Sequence, residues 1–320
     1  MKHPASALLV LAALAYTGAH AQSYPTKPVR LVVGFTPGGG VDINARMLAP
    51  ELTKAFGQQF IVENRPGAGT NIANEFVARA APDGYTLLVN TAALAINMSL
   101  YRKVPFDAIK DFTPVSVFSQ SPNILTVHPS LPVKTVKDLV ALAKSKPGAM
   151  NFSSAGSGST QHLTGELFKL RTGTNIVHIP YKGSAPSLTA LLGGEVEMTF
   201  ANIPAISSHV KAKRLRALAN AGTKRSDQMP QVPTLKESAI NGVEVVVWYG
   251  VLAPAGTPRE IVNSLAAAIG KAARAPDTRQ RLIEQGAEPV GNTPEEFAKL
   301  MREELTRWAD VVKVSGAKAD

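Results

Sequence analysis

The chain has 320 residues, is 45% hydrophobic and 18% charged, carries a formal charge of +10 and contains no cysteine. It can form no disulfides, and at this length a large apolar core can do without them. The basic residues are scattered, with short clusters at 211–216 and 274–281 that lack interleaved aromatics and read as solvated helix faces, so nucleic acid is not an expected partner.

Lys2 and His3 are followed by an apolar run at 7–15 and by Ala19-His20-Ala21, the pattern of a secretory signal peptide cleaved after Ala21. That run is too short to span a bilayer, and no later segment is long enough. No cysteine at the junction offers a lipid anchor. Residues 22–320 suffice for two lobes of ordinary domain size.

Residues 29–35 form an aliphatic run typical of a strand buried on both faces. Thr36-Pro37-Gly38-Gly39-Gly40 breaks it, and 41–56 has helical periodicity, with Pro50 expected to kink or shorten the helix. Strand, glycine loop and helix N-terminus make an anion site of free N–H groups and dipole. No P-loop lysine follows and the third dinucleotide-fingerprint glycine is missing, so nucleotide phosphate is disfavoured. A tight turn that binds nothing is the alternative.

The pattern then repeats. A strand at 59–63, a helix at 71–80 and a strand at 85–90 lead to a second small polar loop, 90–97. Two separate extended runs follow at 115–118 and 123–128. Thr135 and Asp138 open a helix at 136–146, and a strand at 150–153 ends in the third loop, Ser154-Ala155-Gly156-Ser157-Gly158-Ser159-Thr160, before a helix to about 170. A strand at 175–179 meets the fourth loop, 180–186. Strands at 195–201, 215–220 and 243–252 precede three helices. Thr257-Pro258 and Thr293-Pro294 should open two of them as N-cap and N1, each with glutamate at N3, and Ala275-Pro276 opens the third. Such alternation indicates an α/β fold with mostly parallel sheets.

Catalytic chemistry is not legible. The histidines beyond the leader, His128, His162, His178 and His209, form no zinc motif, and no nucleophile elbow exists. His162 and Glu166, four apart, could share a metal but read better as a helix-surface pair. Asp42 reads as a helix cap rather than a base. Lys182 is equally an anion ligand or a solvated lysine. Four small polar loops at strand C-termini favour a binding protein; the rival is an exported hydrolase using Ser157 or Ser159.

The segments YPTKPVRLVVGFTPGGGVDINAR, VENRPGAG, APDGYTLL, LPVKTVKDLVALAKSKPG, HIPYKGSAP, LLGGEVEMTFANIP and VLAPAGTP, in order along the whole mature chain, resemble the Bug (TctC-type) solute-binding proteins of tripartite tricarboxylate transporters. The resemblance implies a two-lobed periplasmic-binding-protein (Venus-flytrap) fold, each lobe a mostly parallel sheet flanked by helices. Lobe 1 would comprise 22–122 and 240–320, and lobe 2 would comprise 123–239. It implies a periplasmic receptor, not an enzyme, without cofactor or metal and expected as a monomer. Such a receptor captures a small carboxylate and hands it to membrane permease subunits, although members also serve as sensors or orphan receptors. The binding residues carried over are Thr36, Gly39, Gly40 and Thr91, then Ser154, Gly158, Ser159 and Thr160, with Tyr181, Lys182 and Ala185 nearby, and Asn202, beside which Ala201 replaces an acid frequent in the family. With Asp42 used as a cap, no acid remains for an ammonium, so an amine-free di- or tricarboxylate or an aromatic acid is expected, with Lys182 available to a second carboxylate. N-terminal sequencing of the exported protein is expected to begin at Gln22; a start elsewhere would refute the assignment of the leader.

Overall fold

A computed structural model describes residues 24–319; the leader and its cleavage after Ala21 lie outside the described residues. In chain order the first elements are β1 (Val29–Val33), α1 (Gly40–Phe56), β2 (Phe60–Asn64), α2 (Asn71–Ala78), β3 (Thr86–Asn90) and α3 (Ala93–Leu100). Then come β4 (Phe112–Val127), α4 (Val136–Ser145), β5 (Asn151–Ser154), α5 (Thr160–Thr172), β6 (Val177–Pro180), α6 (Ser184–Gly193), β7 (Met198–Asn202), α7 (Ile203–Lys211) and β8 (Arg216–Asn220). The chain closes with β9 (Val246–Pro254), α8 (Arg259–Arg274), α9 (Pro276–Glu284), β10 (Glu288–Pro289) and α10 (Pro294–Ser315).

Among the described residues ten strands form one continuous sheet in the order β2-β1-β3-β9-β4-β7-β5-β6, with β8 and β10 also paired to β4. Strands β1, β2 and β3 are mutually parallel, as are β5, β6 and β7. Strand β4 belongs to both groups. From Phe112 to Pro122 it runs antiparallel to β9; from Asn123 to Val127 it runs antiparallel to β7, with β8 along its other edge from Ile124. The return path lies beside this change of partner, where the Ala221 N–H donates to Asn123 O and the Val245 N–H to Ala221 O (2.8 and 2.7 Å).

One apolar cluster fills the space between β1, β3, β9 and helices α1 and α8; a smaller one lies under α6 and α7. The largest runs through both groups of strands, and α10 belongs to it through Phe297, Met301, Trp308 and Val311, packing against α3, β4 and α5. Gly250 must lack a side chain here, because a Cβ would stand 2.4 Å from the Phe297 ring.

Several sequence expectations need correction. The runs at 115–118 and 123–128 are one 16-residue strand. Ser119 and Ser121 break the apolar pattern but are buried with partners: the Ser119 hydroxyl donates to Asn44 Oδ1, and Ser121 pairs with the Tyr249 hydroxyl (3.2 Å). The 90–97 stretch is mostly helix, since the Ala93 N–H reaches Thr91 Oγ1 (3.3 Å) and residues 93–97 are all buried. Pro50 leaves α1 unbroken to Phe56, which ends in a left-handed Gly57. The cluster at 211–216 is a turn between α7 and β8, and Arg216 donates to the carbonyls of Leu131 and Val133. Thr257 does not cap α8 but donates to Pro254 O (2.7 Å). Capping boxes do open α4 at Thr135 and α10 at Thr293, as their spacing predicts.

In α10, Glu304 is buried and accepts from Trp308 Nε1 (2.6 Å). Burial pushes its carboxyl above the usual range. The folded state therefore holds this proton more tightly than the unfolded chain does, and stability is lost as pH rises from the ordinary carboxylate range through the raised value. Glu304→Gln keeps an acceptor for Trp308 and cannot ionise. It is expected to raise the melting temperature at about pH 8 and not at about pH 4; equal shifts at both would contradict the assignment.

Candidate functional site

Because β1, β5, β6 and β7 each run into a helix, the N-termini of α1, α5, α6 and α7 point at one place between the two groups of strands. There they enclose a cavity of about 20 Å³, room for roughly one water. The N-caps are Gly39, Ser159, Gly183 and Asn202. Only Ser159 caps with its side chain, accepting the His162 N–H (3.2 Å). Asn202 sends its amide instead to Asn123 Oδ1 on β4 (3.2 Å). Helix N-termini carry free N–H groups and a partial positive charge, so four of them make an electropositive cavity. Its lining contains no Asp, Glu, Lys, Arg or His.

Asp42, in the first turn of α1, is buried and fully used. It accepts from the Gly38 N–H (3.0 Å), Arg46 Nε (2.9 Å) and Asn64 Nδ2 (2.9 Å). Burial opposes its ionisation, yet these bonds hold its carboxyl below the usual range. It braces the loop before α1 from within the first turn; the N-cap is Gly39 and no side chain caps the helix, so the reading of Asp42 as the cap is corrected.

Of the residues singled out from sequence, Gly39, Gly40, Thr91, Ser159, Thr160 and Asn202 line the cavity. The others stand around it. Thr36 lies at the rim against Gly183, where a Cβ on the glycine would fall 2.0 Å from the Thr36 hydroxyl. Gly183 has φ +130°, so both its backbone and this approach call for glycine. Ala185 lies opposite Gly38, and Gly158 abuts Asn97. Ser154 sits beneath the third loop, bonded to His178 Nε2 (2.7 Å). Tyr181 is half-buried and bonded to Glu195, whereas Lys182 is exposed; neither lines the cavity.

Sequence reasoning missed Tyr249, Gln161 and Ser184, which do line it. The signals were a tyrosine inside the apolar run of β9, a glutamine in the first turn of α5 and the serine that opens α6. The Tyr249 phenol, pushed up to about 12 by burial against a smaller opposing effect of Ser121, remains a hydrogen-bond donor.

His162 and Glu166 are not a surface pair. Both are buried; Glu166 holds Lys169 Nζ (2.8 Å), and the His162 ring stacks on His178 at 3.9 Å between centroids. His162 Nδ1 accepts the Gly158 N–H (3.2 Å). The His178 pKa is lowered to about 4 by burial and by Lys169. Among the described residues no group of three or more His, Cys, Asp or Glu could hold a metal ion. A larger cavity of about 110 Å³ lies beside 120–122 and 222–228, but no helix N-termini converge there.

Gly40→Ala would place a Cβ 2.7 Å from the Tyr249 hydroxyl and 2.8 Å from Asn202 Oδ1. The helix itself tolerates alanine at this position. The variant is expected to lower the melting temperature, because the Tyr249 hydroxyl it meets is buried and bonded to Ser121, and to weaken ligand binding by about 10-fold or more, the equivalent of losing roughly one good hydrogen bond. Unchanged affinity by calorimetry would count against this cavity as the binding site.

A family model described as "Tripartite tricarboxylate transporter family receptor" matches residues 44–317. Protein BugT of Bordetella pertussis is 39% identical over 300 residues, covering 93% of this chain and 92% of BugT. The solved structure of R. palustris Rpa4515 with adipate is 40% identical, has a TM-score of 0.90, and is matched over 93% of this chain and all of that one. MatC (Rpa3494) from Rhodopseudomonas palustris with bound malate is 33% identical with a TM-score of 0.87, over 90% of this chain and all of that one.

Proposed function

The chain belongs to the tripartite tricarboxylate transporter receptor (TctC) family, and from that premise we propose that it captures a small amine-free carboxylate in the cavity between its lobes and delivers it to the membrane subunits of such a transporter. The family consists of substrate-binding proteins, not enzymes, and the fold is that of two-lobed periplasmic binding proteins. The reading places the mature protein in the periplasm, supported by the leader pattern in residues 1–21; among the described residues no helix is long and apolar enough to cross a membrane.

One observation carries the ligand class. Four helix N-termini converge on a cavity whose lining has neither an acid nor a base. Charge-assisted hydrogen bonds from N–H groups at such termini hold a carboxylate, each contributing about 1.5–3 kcal/mol. An ammonium would meet the same positive field with Asp42 already committed to three donors. Malate and adipate, bound by the two related proteins, are both amine-free dicarboxylates. The roles assigned to Gly39, Gly40, Thr91, Ser159, Thr160 and Asn202 are those of direct ligand contacts. Thr36, Gly158 and Ala185 act at the rim, Ser154 from beneath the loop and Tyr181 behind it. Lys182 supplies positive charge at the surface.

A cavity of about 20 Å³ is far too small for a dicarboxylate, so entry requires the lobes to part. The hinge of this reading is the paired crossing at 122–123 and 221–245, which divides 22–122 and 240–320 from 123–239. A thermal-shift panel of dicarboxylates, tricarboxylates, aromatic acids and amino acids tests the ligand class. Amine-free acids are expected to raise the melting temperature through preferential binding to the native state. Stabilisation by aspartate or glutamate without any response to their amine-free analogues would refute it. Small-angle scattering with a ligand from that panel is expected to show a smaller radius of gyration on binding, and an unchanged radius would argue against closure.

A further inference from the structure

Gln161 is the second residue of α5, is only 4% exposed and lines the cavity. Its Nε2 donates to the hydroxyl of Ser184 (3.1 Å), the first residue of α6. Its Oε1 is buried and makes no hydrogen bond. A glutamine kept only to tie α5 to α6 would be expected to have both ends of its amide satisfied, because buried polar atoms are rarely left unpaired. This one belongs to a cavity-lining residue and has no partner within the protein.

The two ends of a carboxamide are nearly equal in size, and a serine hydroxyl both donates and accepts. Turning the amide through half a circle therefore keeps the link to Ser184, with the hydroxyl now donating to Oε1, and delivers Nε2 to the cavity. We propose that Gln161 is a specificity-determining residue of the cleft: anchored by Ser184, its carboxamide reads the ligand group seated against the N-termini of α5 and α6 and donates Nε2 to a carboxylate there. The proposal rests on the carboxylate reading above and adds a selection rule. A dicarboxylate whose second carboxyl reaches this corner satisfies the amide. A monocarboxylate that presents a methyl group there leaves a buried amide end unpaired, and is rejected for that reason.

Isothermal titration of the full mature protein with two matched pairs, adipate against hexanoate and succinate against butyrate, tests this. The wild-type protein is expected to favour at least one diacid over its monoacid. Gln161→Met conserves volume and removes the donor. It should weaken that diacid by about 10- to 100-fold while leaving the monoacid within about twofold, collapsing the preference. Ser184→Ala takes away the anchor but not the donor and should weaken the diacid by only about 3- to 10-fold. Gln161→Glu keeps the size and the link to Ser184 but repels an anion, so it should abolish diacid binding, and it serves should the methionine variant fail to fold. An unchanged diacid affinity in either Gln161 variant overturns the proposal. So does an equal loss for diacid and monoacid, which would mark Gln161 as a structural residue. If wild type binds a carboxylate without any diacid preference, the selection rule falls alone; if it binds none of the four acids nor any amine-free acid of the thermal-shift panel, the carboxylate reading falls and the proposal with it.

Discussion

The architecture depends on a single strand that serves two sets of partners. At Pro122 and Asn123, β4 leaves β9 and continues beside β7 and β8 without interruption. Because β1 to β3 and β5 to β7 are parallel within their own groups, every helix that follows a strand in either group starts at that group's C-terminal edge. The course of β4 turns those two edges toward each other. A strand broken at Ser119 would leave two unrelated α/β units; a continuous one makes them the walls of a cleft.

The walls are chemically unusual in having no formal charge. The field in the cavity comes from backbone dipoles, and the side chains around it are apolar, hydroxylic or amidic. Such a field has a fixed sign, does not titrate, and leaves N–H groups where long cationic side chains would take up space. Holding it in place falls to buried asparagines. Asn90, Asn202 and Asn220 end strands β3, β7 and β8 and bond respectively to Asn74 on α2, to Asn123 on β4 and across the loop to Lys224 O, while the half-buried Asn64 at the end of β2 bonds Asp42 on α1. Asn97 does the same from α3, bonding Gly69 O and Asn71 Oδ1. A buried amide that finds its partner fixes a loop more specifically than apolar packing does, although at Asn97 only the Nδ2 end is paired.

Beneath the third loop, the stacked rings of His162 and His178 and the hydroxyl of Ser154 support Gly156 and Gly158 from below. At the other boundary α10 joins the largest core cluster and touches elements of both groups of strands. A core shared in this way ties α10 to both groups of strands through close packing.

The sequence by itself determined the alternation of strands and helices, the capping boxes at Thr135 and Thr293, and the small polar loops before α1 and α5. All of these are set by neighbours within a few residues. The loops at 36–42, 90–97 and 153–162 were legible for the same reason, since glycines and hydroxyls at a strand's C-terminal end mark a place where backbone N–H groups face outward; the individual positions Gly39, Gly40, Thr91, Ser159, Thr160 and Asn202 came from the family resemblance, and they line the cavity. Only the tertiary structure decided that β4 is one strand, because the burial of Ser119 and Ser121 depends on Asn44 and Tyr249, which are distant in the chain. It alone brought Tyr249, Gln161 and Ser184 to the cavity, left Lys182 exposed, and gave His162 and Glu166 separate buried partners. Periodicity tells which face of an element is apolar; what a buried polar group meets across the cleft is fixed by packing between segments far apart in sequence.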